Sequence, residues 1–473
     1  MPKIYDFVAI GGGSAGFNAA RIAADLGKRV AVVDGARKLG GLCILKGCMP
    51  SKTLIYAAEV LHMAKGAAAF GLKVSGASAD MEAVHARKLR IIADFAQDRV
   101  RMLESGKFDL FRSNARFVDR RTIELEDGKL IRSRHFLIGT GSKVSVPPVP
   151  GLSSAKFWTS DDVLQLNFRP KSVIVLGGGI VASELAQYLN RIGTRVCIVQ
   201  RGEQILRDHS KEAAEVVVKA FRDEGIEVHM GTKILGISTG KSGATVTFQS
   251  GNKAVSRRAE YLFNALGREP CTDRLGLANA GIKVDQKGRI STNRWQQTSA
   301  PNIYAAGDCC GPHEIVHVAI QQAELAARHA ARLKGLKPIN EAMLLGVVFT
   351  DPQLATIGYQ EKDLRKKGID YLSASYPFND HGKSMLMNAN YGFVKVLATN
   401  GTGRILGAEI VGKDAGELVH CFTTPLSMRA TVHDMLAAPW YHPTLSEIVT
   451  YPLEEIADRL KVRGKRTKRA LRH

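Results

Sequence analysis

Apolar residues along this chain fall in short runs closed by glycine-rich turns, each followed by a stretch with helical spacing. Residues 4–8 read as a buried strand, GGGSAG follows, and a helix-like run continues through Leu26. A second apolar run, Val30–Val33, ends on Asp34. The same order returns at Ser172–Leu176, a second glycine turn, a helix to Ile192 and the strand Arg195–Val199. Nearer the C-terminus, residues 392–398 and 405–411 alternate as half-buried strands do and then give way to helical stretches. That suggests an antiparallel sheet flanked by helices. The pattern predicts an α/β chain with two Rossmann-like dinucleotide-binding domains and a C-terminal α+β domain.

The turns carry the chemistry. Gly11-x-Gly13-x-x-Gly16 lies between strand and helix, where a dinucleotide fingerprint belongs. The first glycine permits the tight turn, the second lets a pyrophosphate approach the backbone, and the third lets helix and strand pack closely. Asp34, at the end of the next strand, can accept hydrogen bonds from a ribose diol. The second unit reads Gly177-x-Gly179-x-x-Ala182, so two nucleotides are expected. Its following strand ends in Gln200 and Arg201, with Arg207 six further on and no acid at the ribose position. A missing carboxylate removes repulsion against a 2′-phosphate and two arginines could clamp it, which favours NADPH over NADH. The competing reading makes both arginines solvated charges, with Gln200 bonding an ordinary ribose.

At 473 residues, two to four domains are the default. No apolar run reaches the roughly 18 residues that span a bilayer. The chain enters a strand within a few residues without a cleavable signal pattern, so a cytoplasmic protein without membrane association is expected. Net charge is +21, a third of it from seven Lys/Arg among residues 461–473, a segment with no Asp or Glu that is expected to be disordered. Such charge suits an acidic partner protein or an anionic cofactor. No nucleic-acid motif accompanies it. Seven cysteines do not make a disulfide framework in a chain this long. Cys197 and Cys421 read as packing residues. Adjacent Cys309 and Cys310 have no second Cys/His pair at zinc spacing, so no metal is expected.

Cys43 and Cys48 stand apart, five positions from each other in GGLCILKGCMPSK just after the first nucleotide unit. In an ideal helix their Cα atoms would lie about 8–9 Å apart, against roughly 4.4–6.8 Å for a disulfide. The turn between them must be distorted if they bond, and Gly47 is where distortion costs least. Pro50 suits the start of a helix, whose N-terminal end favours a thiolate. The pair reads as catalytic.

With this segment the chain resembles the class I pyridine nucleotide–disulfide oxidoreductases: dihydrolipoamide dehydrogenase, glutathione reductase and mercuric reductase. The likeness extends through LIGTGS at 137–142, NALGREP at 264–270, NIYAAGD at 302–308, FTDPQLATIG at 349–358 and HPTLSE at 442–447. It implies that FAD binds the first unit through Gly11, Gly13, Gly16, Asp34, Gly141 and Asp308. Lys52 would stand beside the flavin and pair with Glu184, since a buried ammonium needs a countercharge. NAD(P)H would take Gly177, Gly179, Ala182, Glu184, Gln200, Arg201, Arg207 and Gly267. Electrons would pass from nicotinamide through flavin to Cys48, and leave through Cys43 to a small disulfide.

His442 would manage the proton, with Glu447 fixing its tautomer. In the family this pair reaches the partner subunit's site, which makes a homodimer obligatory. The implied domains are FAD-binding at 1–147 and 271–341, NAD(P)-binding at 148–270, dimerisation at 342–460 and the basic tail at 461–473. MPSK with HPTLSE looks most like dihydrolipoamide dehydrogenase, whose lipoyl-type acidic partner the charge would suit. The second nucleotide site looks closer to mercuric and glutathione reductases. A mercuric reductase should carry a C-terminal cysteine pair, and this tail has none. An alternative of another class is a scaffold that retains FAD and acts through its basic tail.

Overall fold

A computed structural model describes the backbone of residues 4–470, with side chains through 461. The first sheet is built on β1 (Ile4–Ile10), whose last four residues are all buried. Glycine breaks the strand at once, and α1 (Ser14–Asp25) follows with its small residues Ala15, Gly16, Ala19 and Ala20 turned inward. β2 (Val30–Val33) returns parallel to β1. Next come α2 (Gly41–Lys46), α3 (Cys48–Lys65) and α4 (Met81–Leu103). Then β3 (Asp109–Phe111), β4 (Ala115–Asp119), β5 (Thr122–Leu125) and β6 (Leu130–Ile138) complete the order β3-β2-β1-β6-β5-β4. The later strand Ile303–Ala305 adds parallel to β6, so sequence far downstream closes this first layer.

Between those two visits to the first sheet, the chain builds a second one. Ser172–Leu176 lies between Arg195–Val199 and Tyr261–Asn264, with Glu227–His229 outermost, all parallel. A three-stranded antiparallel meander runs from Thr232 to Ala259. Ser142–Val144 pairs antiparallel with Arg268–Pro270, joining the segment that leaves the first sheet to the one that returns.

The third sheet is antiparallel and five-stranded. It runs Leu345–Val348, Gln353–Gly358, Ile405–Gly412, Phe393–Thr399, Tyr371–Pro377 across its width. One face packs on the long C-terminal helix through Leu453, Ile456 and Ala457. That helix runs Thr450–Ala470. Packing of the first turns nucleates the helix, and Lys and Arg are good helix formers once it exists. Residues 471–473 lie outside the described part. No helix among the described residues is long and apolar enough to cross a membrane.

One buried polar seam joins the second and third sheets. On the Ile180–Arg191 helix, Glu184, Gln187 and Arg191 stand at i, i+3 and i+7 and face the segment around Asp351. Glu184 accepts the Phe349 N–H at 2.9 Å. Gln187 accepts the Asp351 N–H and donates to its carbonyl, both at 2.7 Å. The Arg191 guanidinium, 5% exposed, donates to Asp351 at 2.8 Å and to Glu224 at 2.6 Å. Removing the cation would take the shared guanidinium from both carboxylates, leaving Glu224 with the Gln187 amide at 2.8 Å. Arg191→Met should therefore lower unfolding stability by about 3 kcal/mol, read as a reduced denaturation midpoint of the flavin-loaded protein. A midpoint within error of the parent would show that the seam is solvated in solution.

Candidate active site

The Gly11 backbone is left-handed at φ 100°, and a Cβ there would lie 2.5 Å from the Gly139 carbonyl oxygen. A Cβ on Gly16 would lie 1.7 Å from the Gly11 carbonyl oxygen, so α1 can seat against the turn only without a side chain. Gly13 is the N-cap of α1. Asp34 is buried, and its carboxylate accepts the Gly12 and Ala36 N–H groups at 2.7 and 2.8 Å. These groups open on a cleft of about 2980 Å³. Gly11, Gly13, Asp34, Cys43, Cys48, Lys52, Gly141, Glu184, Arg207, Gly267 and Asp308 all line it. A cradle without side chains, an acid at the ribose end and this volume fit FAD with room for a nicotinamide nucleotide.

The second unit repeats the turn. Gly177 has φ 104° and Gly179 is the N-cap of its helix. Ala182 is fully buried against the strand, replacing the third glycine. Gln200 occupies the place of Asp34: a Cβ on Gly178 would lie 3.2 Å from the Gln200 amide carbon, as one on Gly12 would lie 2.7 Å from the Asp34 carboxylate. Gln200 donates to the Gln204 carbonyl at 3.1 Å. Arg201 is exposed, with no carboxylate partner among the described residues. Arg207 reaches the cleft edge with only a loose 3.9 Å contact to Asp208. Gly16, Gly177, Gly179, Ala182, Gln200 and Arg201 do not line the cleft themselves.

The cysteines sit on two helices. α2 ends at Lys46, Gly47 breaks the helical path with φ −133° and ψ −116°, and α3 starts on Cys48. A Cβ on Gly47 would come within 3.2 Å of the Cys43 Cα, so the kink also brings the two cysteines' segments together. The helix begins two residues before Pro50, whose missing N–H falls in a first turn that has no intrahelical acceptor anyway. Both thiols are free. The hydrogen bond between them is the largest influence on each: it pushes the Cys48 thiol down and the Cys43 thiol up. Burial opposes the charge on Cys48, while the Lys52 ammonium favours it. One negative charge is thus shared by two sulfurs and settles on Cys48.

Lys52, one turn along α3, donates to Glu184 at 2.8 Å, and Glu184 is 4% exposed. The Lys52 Nζ also lies 4.6 Å from the centre of the Phe349 ring. Asp308 accepts the Ser142 hydroxyl at 2.6 Å, and Arg268 donates to that same hydroxyl at 2.7 Å and to the Ser142 carbonyl at 2.8 Å. Phe349, Ser142 and Arg268 were not singled out from sequence, although FTDPQLATIG, LIGTGS and NALGREP contain them. What identifies them is contact across more than 120 residues of chain.

His442 and Glu447 meet each other but not the cleft of their own chain. His442 Nδ1 lies 3.0 and 3.1 Å from the two Glu447 oxygens, with the ring 78% exposed and the carboxylate 11%.

Two nucleotide units, a thiol pair on the first and a helix-to-helix ion pair between them define a flavin-dependent disulfide oxidoreductase, and the chain belongs to that family. Residues 5–323 match the pyridine nucleotide-disulphide oxidoreductase family, and residues 345–452 match its dimerisation domain. The family is FAD-dependent and uses NAD(P)H, and the dimerisation domain supports a homodimer. A dihydrolipoyl dehydrogenase of Thermus scotoductus is 35% identical over 94% of this chain and 96% of its own length. A mercuric reductase of Staphylococcus aureus is 31% identical over 91% of this chain and 78% of its own. The solved HOCl-induced flavoprotein disulfide reductase RclA of Escherichia coli shares the fold, with a TM-score of 0.83 at 24% identity over 95% of this chain and 99% of that one.

The balance of charge at the thiols can be titrated. In the two-electron-reduced protein, iodoacetamide should react with Cys48 along a curve whose midpoint lies below the ordinary thiol value of about 8.5. Cys43→Ala should raise that midpoint more than Lys52→Met does, because the thiol–thiolate hydrogen bond outweighs the ammonium. A larger rise from Lys52→Met would reverse that order.

Proposed function

We propose that this enzyme reduces a small disulfide with NADPH through FAD and the Cys43–Cys48 pair, with His442 and Glu447 supplied across the dimer. The observation that carries the reading is the shared charge of Cys43 and Cys48 beside the Lys52–Glu184 ion pair. Gly11, Gly13, Gly16, Asp34, Lys52, Gly141 and Asp308 hold the flavin. Gly177, Gly179, Ala182, Glu184, Gln200, Arg201, Arg207 and Gly267 serve the nicotinamide nucleotide. Bound FAD supplies the two-electron link between nicotinamide and disulfide.

The chain's own residues do the rest. Cys43 gives its proton to His442 and attacks one sulfur of the substrate, forming a mixed disulfide and expelling a thiolate that takes that proton from His442. Cys48 then attacks the Cys43 sulfur, closing the internal disulfide and expelling the second thiolate. Glu447 on Nδ1 keeps the working His442 nitrogen, Nε2, outward. Lys52 favours the Cys48 thiolate when the internal disulfide is opened again.

Preference for NADPH is supported by Gln200 in the place Asp34 holds in the first unit, and by Arg201 and Arg207 without close carboxylates. The substrate type is supported by likeness to dihydrolipoyl dehydrogenase and by His442. A mercuric reductase-like role is the alternative reading. The basic surface suits an acidic lipoyl-bearing partner.

Steady-state turnover with NADH and NADPH against lipoamide, glutathione disulfide, coenzyme A disulfide and mercuric ion tests the proposal. Turnover should be fastest with NADPH and a disulfide, and faster mercuric reduction would replace the reading. Replacing both Arg201 and Arg207 with Ala should raise KM for NADPH about tenfold or more and leave NADH unchanged. Equal effects on the two nucleotides would remove the arginines from 2′-phosphate recognition.

A further inference from the structure

Glu447 has a second histidine. His381 is fully buried, and its Nε2 lies 3.4 Å from Glu447 Oε1, the oxygen that also meets His442 Nδ1 at 3.0 Å. No hydrogen bond of good geometry reaches the His381 Nε2 among the described residues, and Glu447 Oε1 is the carboxylate oxygen beside it. Its other nitrogen is committed. His381 caps the short helix Gly382–Leu386, and Nδ1 faces the Ser384 N–H at 3.4 Å and the Ser384 hydroxyl at 2.8 Å. A backbone N–H can only donate, so Nδ1 is the acceptor and the ring proton sits on Nε2, on the Glu447 side.

We propose that His381 is a positioning residue for the His442–Glu447 pair, its Nε2–H steering the carboxylate that in turn orients the His442 imidazole. The inference rests on the proposed role of His442 and extends it by one residue. His381 is itself backed by an aromatic pair. The Tyr451 ring stands edge-on to it at 6.0 Å, Tyr451 stacks on Tyr376 at 4.0 Å, and the Tyr376 hydroxyl donates to the Asp380 carbonyl at 2.9 Å. Burial pushes the His381 imidazole down, with Glu447 opposing, so it stays neutral at pH 7 and does not compete with His442 for the carboxylate as a second cation. A carboxylate fixed at both ends loses the freedom to rotate away when His442 takes or gives a proton.

Two substitutions separate steering from packing. The amide nitrogen of Gln overlays histidine Nε2 and keeps a donor toward Glu447; Asn extends only as far as Nδ1, where its oxygen accepts the Ser384 N–H. In the full-length, flavin-loaded dimer, His381→Asn should slow reoxidation of the reduced enzyme by lipoamide about 10- to 100-fold, within the range of general acid–base catalysis. Reduction by NADPH should keep its rate, and His381→Gln should restore reoxidation to within about threefold of the parent. Crystal structures of both variants give a reading independent of substrate: Glu447 should turn from His442 with Asn and hold with Gln. Reoxidation and Glu447 orientation unchanged in both variants would overturn the proposal, as would equal slowing in both with Glu447 unmoved. If the parent itself is reoxidised by none of lipoamide, glutathione disulfide and coenzyme A disulfide, the disulfide reading of the site fails, and the Glu447 orientations still decide for or against His381.

Discussion

A single buried carboxylate, Glu184, holds together the parts on which the site depends. At 4% exposure it cannot stay charged without close partners, and it has two: the Lys52 ammonium and the Phe349 N–H. Lys52 belongs to the helix that begins at Cys48, Glu184 to the helix of the second nucleotide unit, and Phe349 to the segment leading into the third sheet. Three stretches of chain that share no local sequence must therefore meet at one oxygen pair. The need to neutralise that group fixes the angle between the two nucleotide units and places the ammonium one turn from the reactive sulfur. Gln187 and Arg191 extend the same helix face and lock Asp351, so Phe349 cannot drift from its carboxylate.

The two nucleotide units show how one backbone serves two electrostatic purposes. Both turn on a left-handed glycine, and both aim the residue after the second strand at the middle glycine of the turn. In the first unit that residue is Asp34, which carries a charge and accepts from the turn's own N–H. In the second it is Gln200, which has no charge and donates to a neighbouring carbonyl. The exchange leaves the strand and helix geometry intact while removing a negative charge beside the second turn. Fold and charge are separable for this reason: glycine spacing sets the turn, and one side chain sets the charge beside it.

What could be read from sequence was what is encoded within a few residues. The glycine turns, the strand that ends on Asp34 and the Cys43–Cys48 spacing with its weak point at Gly47 are local facts, and all reappear as geometry. The links from Ser142 to Asp308 and from Glu184 to Phe349 span 166 and 165 positions, and no local pattern reports such pairs. Their residues lay inside motifs that marked resemblance without assigning them a partner. His381 carries no motif at all. Its importance arises only where the end of Tyr371–Pro377 folds against the turn holding Glu447.

In the proposed mechanism His442 and the cysteines complete each other across two chains. Within one chain, Glu447 grips the inner nitrogen of His442 while the ring projects into solvent, and Cys43 lies in a cleft this histidine does not line. A histidine with one nitrogen pinned and the other outward is shaped to serve a surface that is not its own. It lies in the segment that matches the family's dimerisation domain. In that mechanism association of two copies does chemical as well as structural work. It would bring an oriented imidazole to the exchange thiol, and the rigidity of that imidazole depends on how firmly its own chain holds Glu447.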